Sequence, residues 1–292
     1  MRSAQKFIPA ILAMAFWATN FVFSLHVLDG IGVMQATGAR WLISLVALVP
    51  LAIVMEHPDW NIARREWRSH LVQSLLGYSG YTVLLYFALG VTSPVSAAVL
   101  VALNPATIAI AARIFLHEHL APRAIAGIAV SFVGALVVVL GAGTFGELSF
   151  TYGDGLLLIA TVLWTVYSIR APKLETPPIT ATTVQAGLAG IIMIPFMVVD
   201  IAIGNSGWTT LDPLGWMGIV WIGLFPSAAS YFLWNISSEK IGPTRTGAFL
   251  NLIPVFTAVI VVLLGGAISV AQLVGGALVL IGVSFANARA KS

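Results

Sequence analysis

The sequence predicts an all-α, polytopic membrane protein whose ten transmembrane helices form two inverted five-helix repeats. Three observations carry this. First, the 292 residues are 59% hydrophobic and 9% charged, with a mean hydropathy of +0.98. Soluble domains hold about a quarter charged residues, so this chain cannot cover a water-facing surface. Second, a broken apolar hairpin occurs twice. YFALGVTSPVSAAVLVALNP carries Pro94 and Pro105, eleven residues apart, with Asn104 beside the second; SYFLWNISSEKIGPTRTGAFLNLIP carries Pro243 and Pro254, again eleven apart, with Asn251 nearby. Small residues follow the first proline in each: Ser96, Ala97 and Ala98, then Thr246, Gly247 and Ala248. A duplicated broken hairpin in an apolar chain points to an internal repeat. Third, the basic residues alternate between the segments, as shown below.

A span needs roughly 20 apolar residues. Ten stretches qualify, at about 7–28, 32–55, 70–90, 95–116, 124–143, 153–170, 179–203, 214–237, 244–264 and 268–287. The first is too long for a signal-peptide core and lacks a small-x-small cleavage site, so it is expected to be a retained span. Turn chemistry separates the stretches: Asp29-Gly30, Thr92-Ser93-Pro94, Ala121-Pro122, Pro177-Pro178, Gly204 to Gly207, Gly242-Pro243 and Gly265-Gly266.

Counting ten spans, Arg2, Lys6, Arg64, Arg65, Arg68, Arg113, Arg123, Arg170, Lys173, Lys240, Arg245, Arg289 and Lys291 all fall on one side. That is thirteen of the fourteen Lys and Arg residues, and the opposite turns hold none. The positive-inside rule makes that side, and both termini, cytoplasmic. The exception is Arg40, inside the second stretch.

The halves are residues 1–143 and 152–288, joined by a periplasmic linker at 144–151. Trp17 matches Trp164. Arg40 and Pro50 match Gln185 and Pro195 at equal spacing, and Gly127 and Gly134 match Gly275 and Gly282. Five spans per half is odd, so the second half must lie inverted. Such repeats build secondary transporters with a midplane site at the repeat interface. Pro94, Pro105, Pro243 and Pro254 are the expected hinges.

These features together, with LHEHLAPRAIAGIAVSFVGALVVV closing the first half, resemble the EamA-type branch of the drug/metabolite transporter superfamily over nearly the whole chain. The family's glycine-glutamate before the last helix of a half stands here as His117-Glu118. In the second half it is Gly265-Gly266, without the acid. The resemblance implies metabolite export, often of amino acids, from the bacterial cytoplasm across the inner membrane. Within the branch, the chain is most similar to aromatic amino acid and methyl viologen exporters.

The chemistry-bearing residues fit that expectation. There is no cysteine, which excludes disulfides and thiolate sites. No GxSxG, P-loop or HExxH occurs, so no catalytic residue, cofactor or enzyme activity is expected. His117 and His119 flank Glu118 but point apart on a helix, which argues for a capping carboxylate over a metal site. The net charge of +3 sits at segment ends and gives no nucleic-acid signal.

All eleven acids fall near span ends or in loops. Small multidrug exporters of the same superfamily hold a glutamate in their first helix, where this chain reads AMAFWATNFVF. Strict proton antiport is therefore not expected. His26 and His70 are expected at the interface, and the transport rate should change little between about pH 6 and pH 8. Arg40 has two readings: snorkelling to the outer surface, or pairing with a substrate carboxylate or a carbonyl.

Aromatic and amide side chains complete the candidate binding set. Trp17, Asn20 and Ser24 share one helical face, as do Trp164, Tyr167 and Ser168, and Tyr231, Trp234 and Asn235. Tyr78 and Tyr81 lie three apart, and Asn104 and Asn251 sit in the hairpins. Polar tips in lipid need inward partners. An aromatic wall with hydroxyl and amide tips suits a mid-sized, zwitterionic, partly apolar solute. Sugar phosphates need more Lys or Arg; a quaternary-cation carrier stays open. An integral-membrane enzyme lacks its catalytic cluster here, and a scaffold needs neither repeat nor polar interior. The expected partners are an amino acid or related metabolite and the lipid bilayer, with an internal repeat compatible with a monomer.

Overall fold

Apolar runs of this length satisfy their backbone in lipid only by closing every hydrogen bond internally, which the α-helix does. The computed structural model describes residues 5–92, 97, 100–141, 151–204, 207–209 and 211–288, and only the backbone of Phe21 and Leu25. Every regular element among the described residues is helical.

Helices α1 (Ile8–Gly30) and α2 (Val33–Glu56) are followed by the short α3 (Trp60–Arg65). Helix α4 (Trp67–Gln73) runs through a π-helical turn, Ser74–Gly80, into α5 (Tyr81–Leu89). Helices α6 (Asn104–Phe115) and α7 (Pro122–Leu140) follow. Helix α8 (Tyr152–Arg170) is capped by a box in which Thr151 and Asp154 bond each other's backbone. Next come α9 (Pro178–Ala202) and α10 (Pro213–Ile222), and a second π turn, Gly223–Ala229, leads into α11 (Ser230–Ile241). A 3₁₀ turn, Ala248–Asn251, separates α12 (Pro243–Gly247) from α13 (Leu252–Leu263), and α14 (Val270–Asn287) closes the described chain.

Among the described residues, eight helical runs are long and apolar enough to cross a membrane, with a shorter apolar helix at Leu100–Phe115. The helical run from Trp67 to Leu89 is not among the eight. It carries Arg68, Ser69, His70, Gln73 and Ser74 in its first half. The chain is a polytopic membrane protein, and its surface is inverted accordingly. Val46, Leu263 and Val270 are more than three-quarters exposed, whereas Gln35, Ser44, Thr180 and Gln185 are wholly buried. Apolar side chains face outward, and polar ones pair inside.

Glycine sets the closest helix approach. A Cβ on Gly134 would lie 2.6 Å from Val279 N and 2.7 Å from Gly275 O; one on Gly275 would lie 2.6 Å from Val138 N and 2.7 Å from Gly134 O. Gly127 and Gly282 make the same exchange, each 2.6 Å from the other's carbonyl. Helices α7 and α14 therefore touch backbone to backbone, as small residues permit in membranes. Helix α2 packs along α9, and α1 packs against α10, α11 and α13. Helix α8 packs in the corresponding way against α5 and α6.

The prolines mark breaks in the helices. Pro243 is the first residue of α12, after Gly242 at φ 84°. Pro105 and Pro254 each sit in the first turn of the helix that follows a break, where a missing N–H costs nothing. Pro94 lies outside the described residues. The π turns occupy matching places in the halves. In each, a serine hydroxyl bonds the carbonyl five residues back: Ser79 to Ser74 at 3.2 Å and Ser227 to Ile222 at 2.7 Å. Pro226 inside the second turn cannot donate to an α-helical ladder, which favours the wider turn.

Candidate functional site

Eight aromatic side chains from five helices and the first π turn form one continuous cluster. Trp17 of α1 stands edge-on to Trp164 of α8 at 5.3 Å and to Tyr231 of α11 at 5.6 Å between centroids. Tyr78 lies 4.6 Å from both Trp41 and Tyr231, and Tyr81 of α5 lies 5.1 Å from Trp164. Trp234 packs on Trp17 and Trp164. Edge-to-face and offset geometries contribute about 0.5–1.5 kcal/mol per pair beyond burial. Tyrosine tips are partnered inward: Tyr231 donates to Gly77 O at 2.7 Å, and Tyr167 donates to Asn235 Oδ1 at 2.8 Å. Asn235 in turn donates to Thr182 of α9.

A cavity of about 50 Å³ opens against this cluster. Its volume corresponds to a few water molecules, each needing roughly 10–15 Å³. Trp17, Asn20, Arg40, Tyr81, Asn104, Trp164 and Tyr231 line it, together with Thr82 and Leu85. Seven of the eleven residues nominated by the sequence thus come together. Tyr78, Tyr167 and Trp234 form the layer behind. Asn251 does not join them: it donates to Ser131 of α7 at 2.9 Å.

Arg40 does not take the snorkelling reading. It is 4% exposed and does not snorkel. Its Nε donates to Ser227 Oγ and its Nη1 to Tyr86 Oη, both at 2.6 Å, and Tyr86 donates onward to Asn20 Oδ1 at 3.3 Å. Among the described residues no carboxylate is within ion-pair distance of it. A permanent cation thus faces a cavity with neutral partners only, which leaves its charge uncompensated in a low dielectric. Two further polar atoms on lining residues, Trp164 Nε1 and Asn104 Oδ1, are buried without a hydrogen-bond partner. The site therefore offers a cation and a donor, an acceptor, and an apolar aromatic wall.

Three participants escaped the sequence reading. Trp41 is wholly buried beside Arg40. Tyr86 follows Tyr78 by eight residues, two helical turns, and this stripe was the available signal. Ser227 sits in a π turn, which shifts the helical face and leaves no periodic signal. His70 corrects the sequence reading outright. It is not interfacial but wholly buried, 3.0 Å from Thr176 Oγ1 and 3.2 Å from Gln185 Nε2. His26 is at an exposed end, bonded to Asp212 at 3.0 Å. That bond, with the Gly215 backbone N–H, holds the Asp212 carboxyl below its ordinary range. Burial pushes Glu66 upward, but the Thr176 hydroxyl and the backbone N–H groups of Glu175 and Thr176 outweigh it and hold Glu66 low. Glu118 accepts from Thr244 at 2.5 Å, tying the α6–α7 turn to the start of α12.

Comparison with known proteins agrees with this architecture. An uncharacterized transporter of Bacillus subtilis, YyaM, is 32% identical over 262 residues, 86% of this chain and 84% of its own. A probable terminal-alkyne amino-acid exporter of Streptantibioticus cattleyicolor is 28% identical over 298 residues, 99% of this chain and 95% of its own. A crystal structure at 19% identity superposes with a TM-score of 0.80 over 97% of both chains, a likeness of fold. The EamA-like transporter family matches twice, over residues 6–140 and 151–288. The chain belongs to the EamA-like transporter family, within the drug/metabolite transporter superfamily, as the resemblance of its sequence implied.

Proposed function

We propose that the protein exports amino acids, aromatic ones above all, and related small metabolites from the cytoplasm by alternating access, without ATP. The observation that carries this is Arg40: a buried guanidinium on a cavity wall with no carboxylate partner among the described residues. A substrate carboxylate completes it through charge-assisted hydrogen bonds. Asn104 Oδ1 then serves the ammonium, and the cluster around Trp17 and Trp164 receives an apolar side chain. The amino-acid exporter among the relatives supports the substrate class. A cavity of about 50 Å³ is too small for an amino acid, so this conformation is closed and its walls must part to load.

Ten spans follow when Trp67–Leu89 and Leu100–Phe115 are counted with the eight long ones. The double family match, the reciprocal glycines of α7 and α14 and the matched π turns support two inverted halves. In this reading Pro94, Pro105, Pro243 and Pro254 are hinges, and both termini lie in the cytoplasm of a bacterial cell, with the chain in its inner membrane. Purified protein in liposomes, offered labelled phenylalanine, threonine and a sugar phosphate without ATP, tests the proposal. Phenylalanine is expected to equilibrate fastest and the sugar phosphate not at all; the reverse order would sink it.

A further inference from the structure

Donor counting describes the protonation state of His70 in the arrangement its neighbours adopt here. Glu66 reaches it from the α3–α4 junction, Thr176 from the link before α9, and Gln185 from α9 itself. The Thr176 hydroxyl gives its one proton to Glu66 Oε2 at 2.6 Å. At 3.0 Å from His70 Nε2 it can then only accept, so Nε2 carries the ring proton. Nδ1 faces the Gln185 amide nitrogen, a donor, at 3.2 Å. The ring is therefore neutral, with both nitrogens satisfied. Gln185 Oε1, however, is buried with no hydrogen-bond partner. A protonated ring needs an acceptor at Nδ1, and half a turn of the Gln185 amide brings that idle oxygen into place.

We infer that His70 and Gln185 form a proton-binding site whose occupancy is linked to the transport cycle. The site is tied to one wall of the cavity, through Tyr81, and to the aromatic layer behind it. Helix α4 continues through the π turn to Tyr78 and Tyr81. Helix α9 carries Thr182, which holds Asn235 and through it Tyr167. Next to His70, Gln73 donates to Tyr167 O and Ser74 to Gln185 O, so α4, α8 and α9 are laced together around the ring. The charge that bears on the ring is the Glu66 carboxylate; Arg65 and Glu175 pair with each other beside it. Proton uptake puts a charge into this junction and turns the Gln185 amide over, so that its nitrogen loses its partner at Nδ1. Both effects favour parting α4 from α9 so that water reaches the imidazolium. Proton binding thus favours the open form over the closed one, which sets this proposal against the expectation of a rate indifferent to pH.

The link to transport rests on the transporter reading; the proton site does not. Two readouts on the full-length protein therefore separate them. Imidazole nitrogen resonances of the purified chain, with His70 identified by its loss in His70→Gln, should show the Nε2–H tautomer at high pH. They should show the ring gaining its second proton as pH is lowered from about 8 to 5. Gln185→Glu, placing a carboxylate beside the ring, should move that midpoint upward. In liposomes, phenylalanine exchange should rise about fivefold over the same step, the effect of one net hydrogen bond. The rise should be absent in His70→Gln and displaced upward in Gln185→Glu. A ring that stays neutral to pH 5, or a midpoint that Gln185→Glu leaves unmoved, overturns the site. A titrating ring with a flat exchange profile overturns its link to the cycle. A protein that titrates as described but moves no amino acid refutes the transport reading and the link with it, and leaves the site standing.

Discussion

Arg40→Gln isolates the interaction on which the substrate assignment depends. The substitution removes the permanent charge and keeps one amide donor for the hydroxyls that Arg40 now serves. Its structural cost is modest, because neither hydroxyl is orphaned. Ser227 still donates to Ile222 O at 2.7 Å, and Tyr86 still donates to Asn20 Oδ1. Loss of one of the two bonds from this charged donor costs about 1.5–3 kcal/mol, and removal of a buried charge without a carboxylate partner offsets part of it. The functional cost is larger if the guanidinium binds a substrate carboxylate. A hydrogen bond to a charged group contributes about 1.5–3 kcal/mol, roughly 10- to 150-fold in affinity at 1.4 kcal/mol per decade. The assay is counterflow in liposomes with phenylalanine and with phenylalaninamide, which lacks the carboxylate. Wild type should prefer the acid. Arg40→Gln should raise KM for phenylalanine by that factor while leaving the amide within about twofold, so that the preference collapses. A folded Arg40→Gln protein with an unchanged KM for phenylalanine refutes the carboxylate assignment.

Other consequences are equally direct. Trp164→Ala empties the centre of the aromatic cluster and should lower transport of phenylalanine more than that of threonine; equal losses for both would reduce Trp164 to a packing residue. Gly134→Leu drives a side chain into the α14 backbone, whose nearest atoms lie 2.6 and 2.7 Å from the new Cβ, and should lower Tm in detergent sharply, whereas Gly155→Leu, with nothing within 4 Å, should not. Glu66 is held below its ordinary range, so its contribution to stability is complete above about pH 4.3 and is lost as pH falls through the lowered folded value. The drop of Tm on acidification should accordingly be shallower in Glu66→Gln, and an unchanged slope would exclude that contribution. Reporters fused after Ser292 and within Gly204–Gly207 should read cytoplasmic and periplasmic; the same side for both would end the inverted-repeat account.

The sequence displayed its membrane-spanning pattern openly because lipid leaves few choices: long apolar runs become helices, and turn residues end them. Gly127, Gly134, Gly275 and Gly282 were visible as matched pairs, and their contact follows from the close approach that only glycine allows. The aromatic faces were visible as i, i+3 spacings. The polar partners were harder to see. Tyr86 bonds Arg40 across elements forty-six residues apart in sequence, and no local pattern encodes that meeting. The π turns shift the helical face, so Ser227 points to Arg40 where a regular helix would not predict it. His70 read as interfacial because it stands at the end of the third apolar stretch. It is buried because the 174–176 link folds over it, a tertiary event without a local signature. Asn251 stands near Pro254 as Asn104 stands beside Pro105, yet the 3₁₀ turn at Ala248–Asn251 turns it toward α7.

A structure of the protein with bound L-phenylalanine tests the central claim most directly. The account predicts the carboxylate about 2.7–2.9 Å from an Arg40 guanidinium nitrogen. The ammonium should face Asn104, the ring should lie among Trp17, Trp164 and Tyr231, and the cavity should be wider than its present 50 Å³. Phenylalanine bound elsewhere, or bound here with its ring toward Arg40, would contradict it.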